Sequence, residues 1–460
     1  MARARLVGIW TLVLLALESG AGPLAAADLL RGPYLLAKGA TEVTIRWRTD
    51  AQVERAALHW GVDQGRLDQS RLARSLPSST ERFTDWAVSL DGLTPGAVYR
   101  YALEADWAWL AGGGRALQFE TASKVENAPL RFWFLGDSGS NRPRPGTTAA
   151  PFGEGAVPDP IAVREGFRRY LGTRTLDGIV LLGDNAYPLG TDRQYQAAFF
   201  NLYREELARV PLWPCVGNHD LDDAYESIFQ GAAPGDQEGT PYYYSFDVGP
   251  VHFAILDPWK SWLETTTDPT DPRWQAQLAW LRRDLAKTQR HWRIVVNHFP
   301  VYCDGNYDSD TNGPLRSLRE DLVPIFDEFG VDLALAGHDH TYQRSYLVRG
   351  HTGTRNEFDP EIHLVSAEDG RSAPLVKSLG ENAGTVYVVS GTAGGSRPTG
   401  AFNHPVFVPQ DGAAGGGRGI ALPGSFVLEV EQDRLIGRQI DVSGRDVDRF
   451  VLRKALDVAR

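Results

Sequence analysis

From residue 131 onward the chain is punctuated by compact apolar runs: "RFWFL" (131–135), "GIVLL" (178–182), "LWPCV" (212–216), "VHFAIL" (251–256), "RIVVN" (293–297) and "VDLALA" (331–336). They are too short to be helices, and they lack the alternation of a strand with one wet face. Runs of this kind read as strands covered on both sides. Between them lie stretches such as "DRQYQAAFFNLYREELARV" (192–210) and "RWQAQLAWLRRDLAKTQR" (273–290), with apolar residues at the three- and four-residue spacing of a helix face. Buried strands alternating with helices predict layered α/β architecture, which gathers its ligands beyond the carboxyl ends of the strands.

At those strand ends stand residues with chemistry. Asp137 follows the first run, and "GDNAY" follows the second with Asp184 and Tyr187. "GNHD" follows the third with Asn218, His219 and Asp220; His298 follows "RIVV"; "GHDH" brings His338 and His340 after "LALA". Taken singly, a Gly-Asp after a strand is usually a turn and a lone histidine a structural one. Five strands delivering Asp, Asn, Tyr or His to one edge, with four of the chain's ten histidines among them, is a different matter. "GHDH" also has a recurring metal-binding spacing.

"GDSG" (136–139) has a rival reading, a nucleophilic Ser138 in a trypsin-like enzyme. That chemistry needs a histidine base and an orienting aspartate upstream of the serine. Only His59 lies between the leader and Ser138, inside an apparent strand. Asp137 is therefore the functional candidate and Ser138 a loop hydroxyl.

The N-terminal part has another texture. "MARAR", the apolar "LVGIWTLVLLAL" and an Ala-x-Ala site before Asp28 predict a signal peptide over 1–27, whose apolar run of about a dozen residues is too short for a membrane span of roughly 20. Its net charge of +1, removed from −11, leaves the rest near −12, which excludes general electrostatic binding of nucleic acid. No later run is long enough to span a bilayer. Arginine outnumbers lysine 41 to 6 and no Asn-x-Ser/Thr occurs, which suggests a bacterial exported protein, secreted or periplasmic. From 28 to 122, "TEVTIRWRTD", "AALHWG", "DWAVSL", "VYRYALEA" and "ALQFET" predict a β-sandwich. "SKVENAP" (123–129) reads as a linker to a second domain over 130–455. Two cysteines, Cys215 and Cys303, each flank a candidate loop and leave open one bridge or two core thiols.

In order and residue type, "DSG" (137–139), "GDNAY" (183–187), "GNHD" (217–220), "VVNH" (295–298) and "GHDH" (337–340) resemble the five signatures of purple acid phosphatases. "RGPYLLAKGATEVTIRWRTD" is similar to the start of the fibronectin-III-like domain that precedes the catalytic domain in larger members, and "YYYSFDVGPVHFAILD" to a stretch between the third and fourth signatures. The resemblance implies an αββα metallophosphoesterase domain holding two metals about 3.5 Å apart. Asp137, Tyr187 and His340 would hold one, Asn218, His298 and His338 the other, and Asp184 would bridge them.

An anionic Asp–Tyr set suits Fe(III), and the neutral set suits a divalent iron, zinc or manganese. The implied reaction is hydrolysis of a small phosphate monoester at acid pH by metal-bound hydroxide. His219 would contact the phosphate and protonate the leaving group, with Asp220 as its hydrogen-bonded partner. Related two-metal phosphoesterases share the other ligands but generally lack the tyrosine.

The chain departs from the pattern where the family often has further histidines: it has Tyr307 and Asp308. Tyr307 is the candidate for a phosphate oxygen, and the leaving-group acid stays open. His404 either approaches the site or lies on the surface. The glycine-rich stretches 391–400 and 412–419 read as surface loops at the pocket mouth. Two alternatives remain: a phosphodiesterase or nucleotide pyrophosphatase on the same site, and a non-catalytic binding protein.

Overall fold

The computed structural model describes residues 27–454 except 38–40, 63–65, 77–81, 113–116, 122–128, 140–158, 231–241, 265, 381–382, 398 and 411–416. The predicted leader up to residue 26, almost all of the predicted linker and most of the 412–419 stretch lie outside the described residues.

Two sheets form the body of the molecule. The first runs, in spatial order, Leu375–Lys377, Asp446–Lys454, Arg434–Asp441, Gly424–Val430, Leu130–Leu135, Gly178–Leu181 and Pro211–Trp213, and then continues into the N-terminal strands. The second runs Tyr244–Val248, Val251–Ile255, Trp292–Val296, Leu333–Ala336, Thr385–Ser390 and Tyr342–Val348. Their facing sides share one apolar core that includes Phe132, Phe134, Phe253 and Phe426. On the outer face of the first sheet, Phe167 of the helix Asp159–Leu171 stacks on Trp133 with ring centroids 3.9 Å apart. The helices Pro272–Lys287 and Gly313–Glu328 cover the second sheet through Trp274, Leu281, Leu318 and Leu322. This is the four-layer αββα arrangement that strands buried on both faces require.

The helical stretch expected over 192–210 is broken. It comprises Asp192–Tyr195, a π-helical turn Gln196–Phe200 and Arg204–Leu207. The π turn accompanies burial of three successive residues, Ala198, Phe199 and Phe200. Among the described residues no helix is long and apolar enough to cross a membrane.

The N-terminal region is strand-rich and forms a sandwich. Leu29–Ala37, Val43–Asp50, Phe83–Leu90 and Arg74–Leu76 face a sheet built on Ala56–Val62 and Val98–Ala105, around Trp47, Trp60, Trp86 and Tyr101. The alternation in "TEVTIRWRTD" suggests one wet face, but nearly the whole strand Val43–Asp50 is buried. Its polar side meets the α/β body. The Arg46 guanidinium donates to the Ser227, Ile228 and Gln230 carbonyls, and Arg48 pairs with Asp85 and Asp192. Leu29–Ala37 lies parallel to Pro211–Trp213, in register Leu35 to Pro211, so one sheet runs through both regions.

Candidate metal centre

Leu130–Leu135, Gly178–Leu181 and Pro211–Trp213 are parallel neighbours, as are Trp292–Val296 and Leu333–Ala336 in the other sheet. Their carboxyl ends therefore open on the same edge. Three of the residues just beyond them adopt the left-handed conformation that side chains avoid: Asp137 (φ 56°), Asp184 (φ 56°) and His338 (φ 66°). Each follows a glycine. At Gly183, itself at φ 87°, a Cβ would lie 2.5 Å from Nδ1 of His298. At Gly337 it would lie 2.6 Å from Oδ2 of Asp137. The glycines let the strand ends crowd together, and backbone strain of about 1–3 kcal/mol per residue is held where the polar groups converge.

At the centre is the Tyr187 hydroxyl, 3.1 Å from Oδ1 of Asp137, 2.8 Å from Oδ2 of Asp184 and 3.1 Å from Nε2 of His340. The Asp137 Oδ2 accepts from the His338 peptide N–H at 2.8 Å, and its Oδ1 lies 3.2 Å from the His340 Nε2. The His298 Nε2 sits 3.2 Å from the Asn218 Oδ1 and 3.4 Å from Oδ1 of Asp184. His338 packs against His298, ring centroids 5.1 Å apart. All seven predicted ligand residues thus gather at one place.

The chemistry of this set fits a pair of cations. Asp137, Asp184 and His298 are buried, and each offers a ligand atom within 4.8 Å of the others'. The Leu182 carbonyl lies 2.7 Å from the His298 Nδ1, which fixes a proton there and turns Nε2 toward two acceptor oxygens. Burial opposes a second proton on His298, but the Asp184 charge outweighs it and lifts the imidazole to about 9. A metal ion at that point would take the proton's place. Burial, then the Asp137 and Asp184 charges, holds the Tyr187 phenol well above its usual range, so a phenolate here needs a cation beside it.

His219 lies at the rim. Its peptide N–H donates to the Asp184 Oδ1 at 2.7 Å, its Nδ1 is 2.8 Å from the Pro188 carbonyl, and its ring is 4.4 Å from that of Tyr187. The expected pairing with Asp220 is corrected by this geometry. The buried Asp220 carboxylate instead accepts from the peptide N–H groups of Asp184, Asn185 and Gly217 and from the Tyr195 hydroxyl at 2.6 Å. It ties two ligand loops together rather than orienting His219.

Tyr307 stacks on His338 at 4.3 Å, with 40% of its surface exposed. Asp308 pairs with Arg355 at 2.7 Å. His404 is neither on the surface nor among the metal-facing residues. It is fully buried, its peptide N–H donates to Asp304 and its Nε2 lies 3.6 Å from Asp310. The 391–400 stretch packs against the ligand loop, Arg397 N–H donating to the His340 carbonyl and Gly391 N–H to that of Thr341.

Cys215 and Cys303 are free thiols. Cys215 belongs to the core between the sheets and Cys303 to the core outside the second, so they lie in different layers and no bridge joins them. Ser138 is fully buried, which denies it the access a nucleophile needs.

Sequence reasoning passed over two residues inside the motifs it used. Asn185 donates its amide to the Cys215 carbonyl and to Asp220. Asp339 accepts from the peptide N–H groups of Gly305, Asn306 and Tyr307 and from the Thr341 hydroxyl, and so hangs the Tyr307 loop on the "GHDH" turn. The signal was an acid between two histidines, read only for its neighbours.

Residues 130–342 match the family model of calcineurin-like phosphoesterases. An uncharacterized protein of Mycobacterium tuberculosis is 29% identical over 422 residues, 84% of this chain and 73% of that one. Acid phosphatase type 7 of Homo sapiens is 25% identical over 323 residues, 67% of this chain and 63% of that one. The solved purple acid phosphatase PPD1 of yellow lupin seeds superposes with a TM-score of 0.69 at 17% identity, covering 92% of this chain and 75% of that one. The chain carries a calcineurin-like metallophosphoesterase domain and is homologous to the purple acid phosphatases.

Proposed function

We propose that this homologue of the purple acid phosphatases is an exported, dinuclear-metal acid phosphatase acting on small phosphate monoesters. That it is a phosphoester hydrolase follows from its domain and relatives; the monoester, the iron and the export are our reading. The observation that carries it is the Tyr187 hydroxyl within 3.1 Å of Asp137, Asp184 and His340, the three groups that would surround a trivalent ion with it. We assign Asp137, Tyr187 and His340 to Fe(III), Asn218, His298 and His338 to a divalent iron, zinc or manganese, and Asp184 to both. Residues 1–27 would be a signal peptide, 28–122 a fibronectin-III-like unit and 130–455 the catalytic domain.

Bound there, the two ions supply a water of lowered pKa and positive charge for the phosphoryl oxygens. The chain's own groups do the rest. His219, with Nδ1 facing the Pro188 carbonyl, has Nε2 left to meet the phosphate and protonate the departing oxygen. Asp220 holds the Asp184 and Asn218 loops in register through its donors. The half-exposed Tyr307 flanks His338 where a phosphate oxygen would sit.

The test is a comparison of 4-nitrophenyl phosphate with bis(4-nitrophenyl) phosphate at acid pH. A kcat/KM higher for the monoester by about tenfold or more, 1.4 kcal/mol in the transition state, supports the reading. A preference for the diester makes the enzyme a phosphodiesterase.

A further inference from the structure

Beside the metal-facing residues lies a cleft of about 150 Å³ with His338 in its wall. Its apolar walls are Trp259, Leu263, Phe299 and Leu315. The apolar surface is continuous with the metal edge. Phe299 directly follows His298, its ring centroid is 4.5 Å from that of His338, and Trp259 lies over Phe299 at 6.0 Å and 20°. Among the described residues, no lysine or arginine lines it. Of its polar residues, Asn312 already uses its Oδ1 to cap the helix Gly313–Glu328, accepting from the Leu315 N–H.

We propose that this cleft is the leaving-group subsite and that it selects phosphate monoesters of apolar, ring-bearing alcohols over small polar or polyanionic ones. The inference rests on the phosphatase reading above, since a phosphate held at His338 would direct its ester substituent past Phe299. An apolar cavity of about this volume admits a benzene-sized group. Without a cation in its walls it offers nothing to a second phosphate, whose desolvation would go uncompensated.

The test compares esters whose leaving groups are alkoxides of similar reactivity, 2-phenylethyl phosphate and ethyl phosphate. The ratio of their kcat/KM values is measured alongside the ratio of Kd values for the corresponding phosphonates, a readout that needs no turnover. Both ratios should favour the phenyl compound by about tenfold or more. Tenfold is 1.4 kcal/mol, the yield of roughly 55 Å² of buried apolar surface, well under the 150 Å² or more that an aromatic side chain buries. In Leu263→Gln and Trp259→Leu both ratios should fall several-fold. Each ratio is internal to one preparation, so partial misfolding of a variant cancels. A wild-type ratio near one, or ratios untouched by both substitutions, would overturn the proposal. Absence of turnover of both esters and of 4-nitrophenyl phosphate would instead overturn the phosphatase reading, and the subsite with it.

Discussion

Asp184 and Asp448 are carboxylates buried to the same degree and provided for in opposite ways. Asp448, in the strand Asp446–Lys454, receives Arg344 at 2.7 Å, Arg371 at 2.8 Å and the Tyr342 hydroxyl at 2.8 Å. Asp332 is treated likewise, between Lys377 at 2.9 Å and Lys454 at 2.7 Å. Asp137 and Asp184 face imidazoles, a phenol and peptide N–H groups, and no Lys or Arg ion pair is made to either among the described residues. A buried carboxylate without a cation is costly. Asp448 and Asp332 are given permanent cations, whereas Asp184 and Asp137 are given imidazoles, whose protons a metal ion can displace.

The comparison is broken most directly by a crossed pair of substitutions. Asp184→Asn should lower kcat/KM by about 10³-fold or more, because the charge we assign to both ions is gone. Metal analysis should find fewer than two ions per chain, while the metal-free protein loses less stability than Asp448→Asn does, because only an imidazole faces the lost charge. Asp448→Asn should do the reverse. It leaves Arg344 buried and uncompensated, at a cost of about 3–5 kcal/mol in denaturant unfolding, while the folded fraction retains both metals. If the metal-free Asp184→Asn protein were the less stable of the two, the division between structural and ion-holding carboxylates would be wrong.

His219 tests the rim of the same site. His219→Ala should reduce kcat about 10²-fold and leave metal content unchanged if, as proposed, its side chain acts on the substrate side. Substrates with good leaving groups, such as 4-nitrophenyl phosphate, should suffer less than alkyl esters. An equal loss for both would assign His219 to phosphate binding alone.

The strand-end residues were legible because two physical rules coincide: short apolar runs mark strands buried on both faces, and the glycine after four of the five runs that carry candidate ligands permits the close approach seen at Gly183 and Gly337. Pairings that join distant segments were not legible. The alternation of Val43–Asp50 is the same whether its polar face meets water or the carbonyls of residues 227–230, so the sandwich read as separable although Leu29–Ala37 continues the catalytic sheet. Asp220 looked like a partner for its neighbour His219. Only the fold reveals that its donors come from residues 184, 185 and 195 as well as from Gly217. His404 sat in a loop rich in turn residues, and its burial depends on Asp304 and Asp310, about a hundred residues away in the chain.

His252 extends the comparison to a histidine that keeps its proton. In the strand Val251–Ile255, its Nδ1 lies 2.8 Å from Asp247 and its Nε2 2.8 Å from Asp284. Burial disfavours the charged ring, but the two carboxylates prevail and lift its pKa to about 9. A folded value above the unfolded one of about 6.5 means the contribution is whole below pH 6.5 and is lost as pH rises through 9. Asp247 is 40% exposed, so solvent screening reduces the effect to about 1–2 kcal/mol. Urea unfolding at pH 6 and pH 9.5 should show that loss in the wild type and much less of it in His252→Gln.

Tyr187→Phe should have the smallest effect on rate and the sharpest spectrum. Phenylalanine keeps the ring that packs against His219 and removes only the oxygen set between Asp137 and Asp184. Asp137, Asp184 and His340 remain to hold the ion, so activity should fall by about tenfold or less, 1.4 kcal/mol. If that oxygen is a phenolate on Fe(III), the wild type purified in air is purple and the variant is not. A colourless wild type that stays colourless after loading with iron would leave Tyr187 a hydrogen-bonding phenol. The site would then be a two-metal centre of the kind built without a tyrosine ligand, and Asp137 and Asp184 would still be open carboxylates of the sort the crossed substitutions probe.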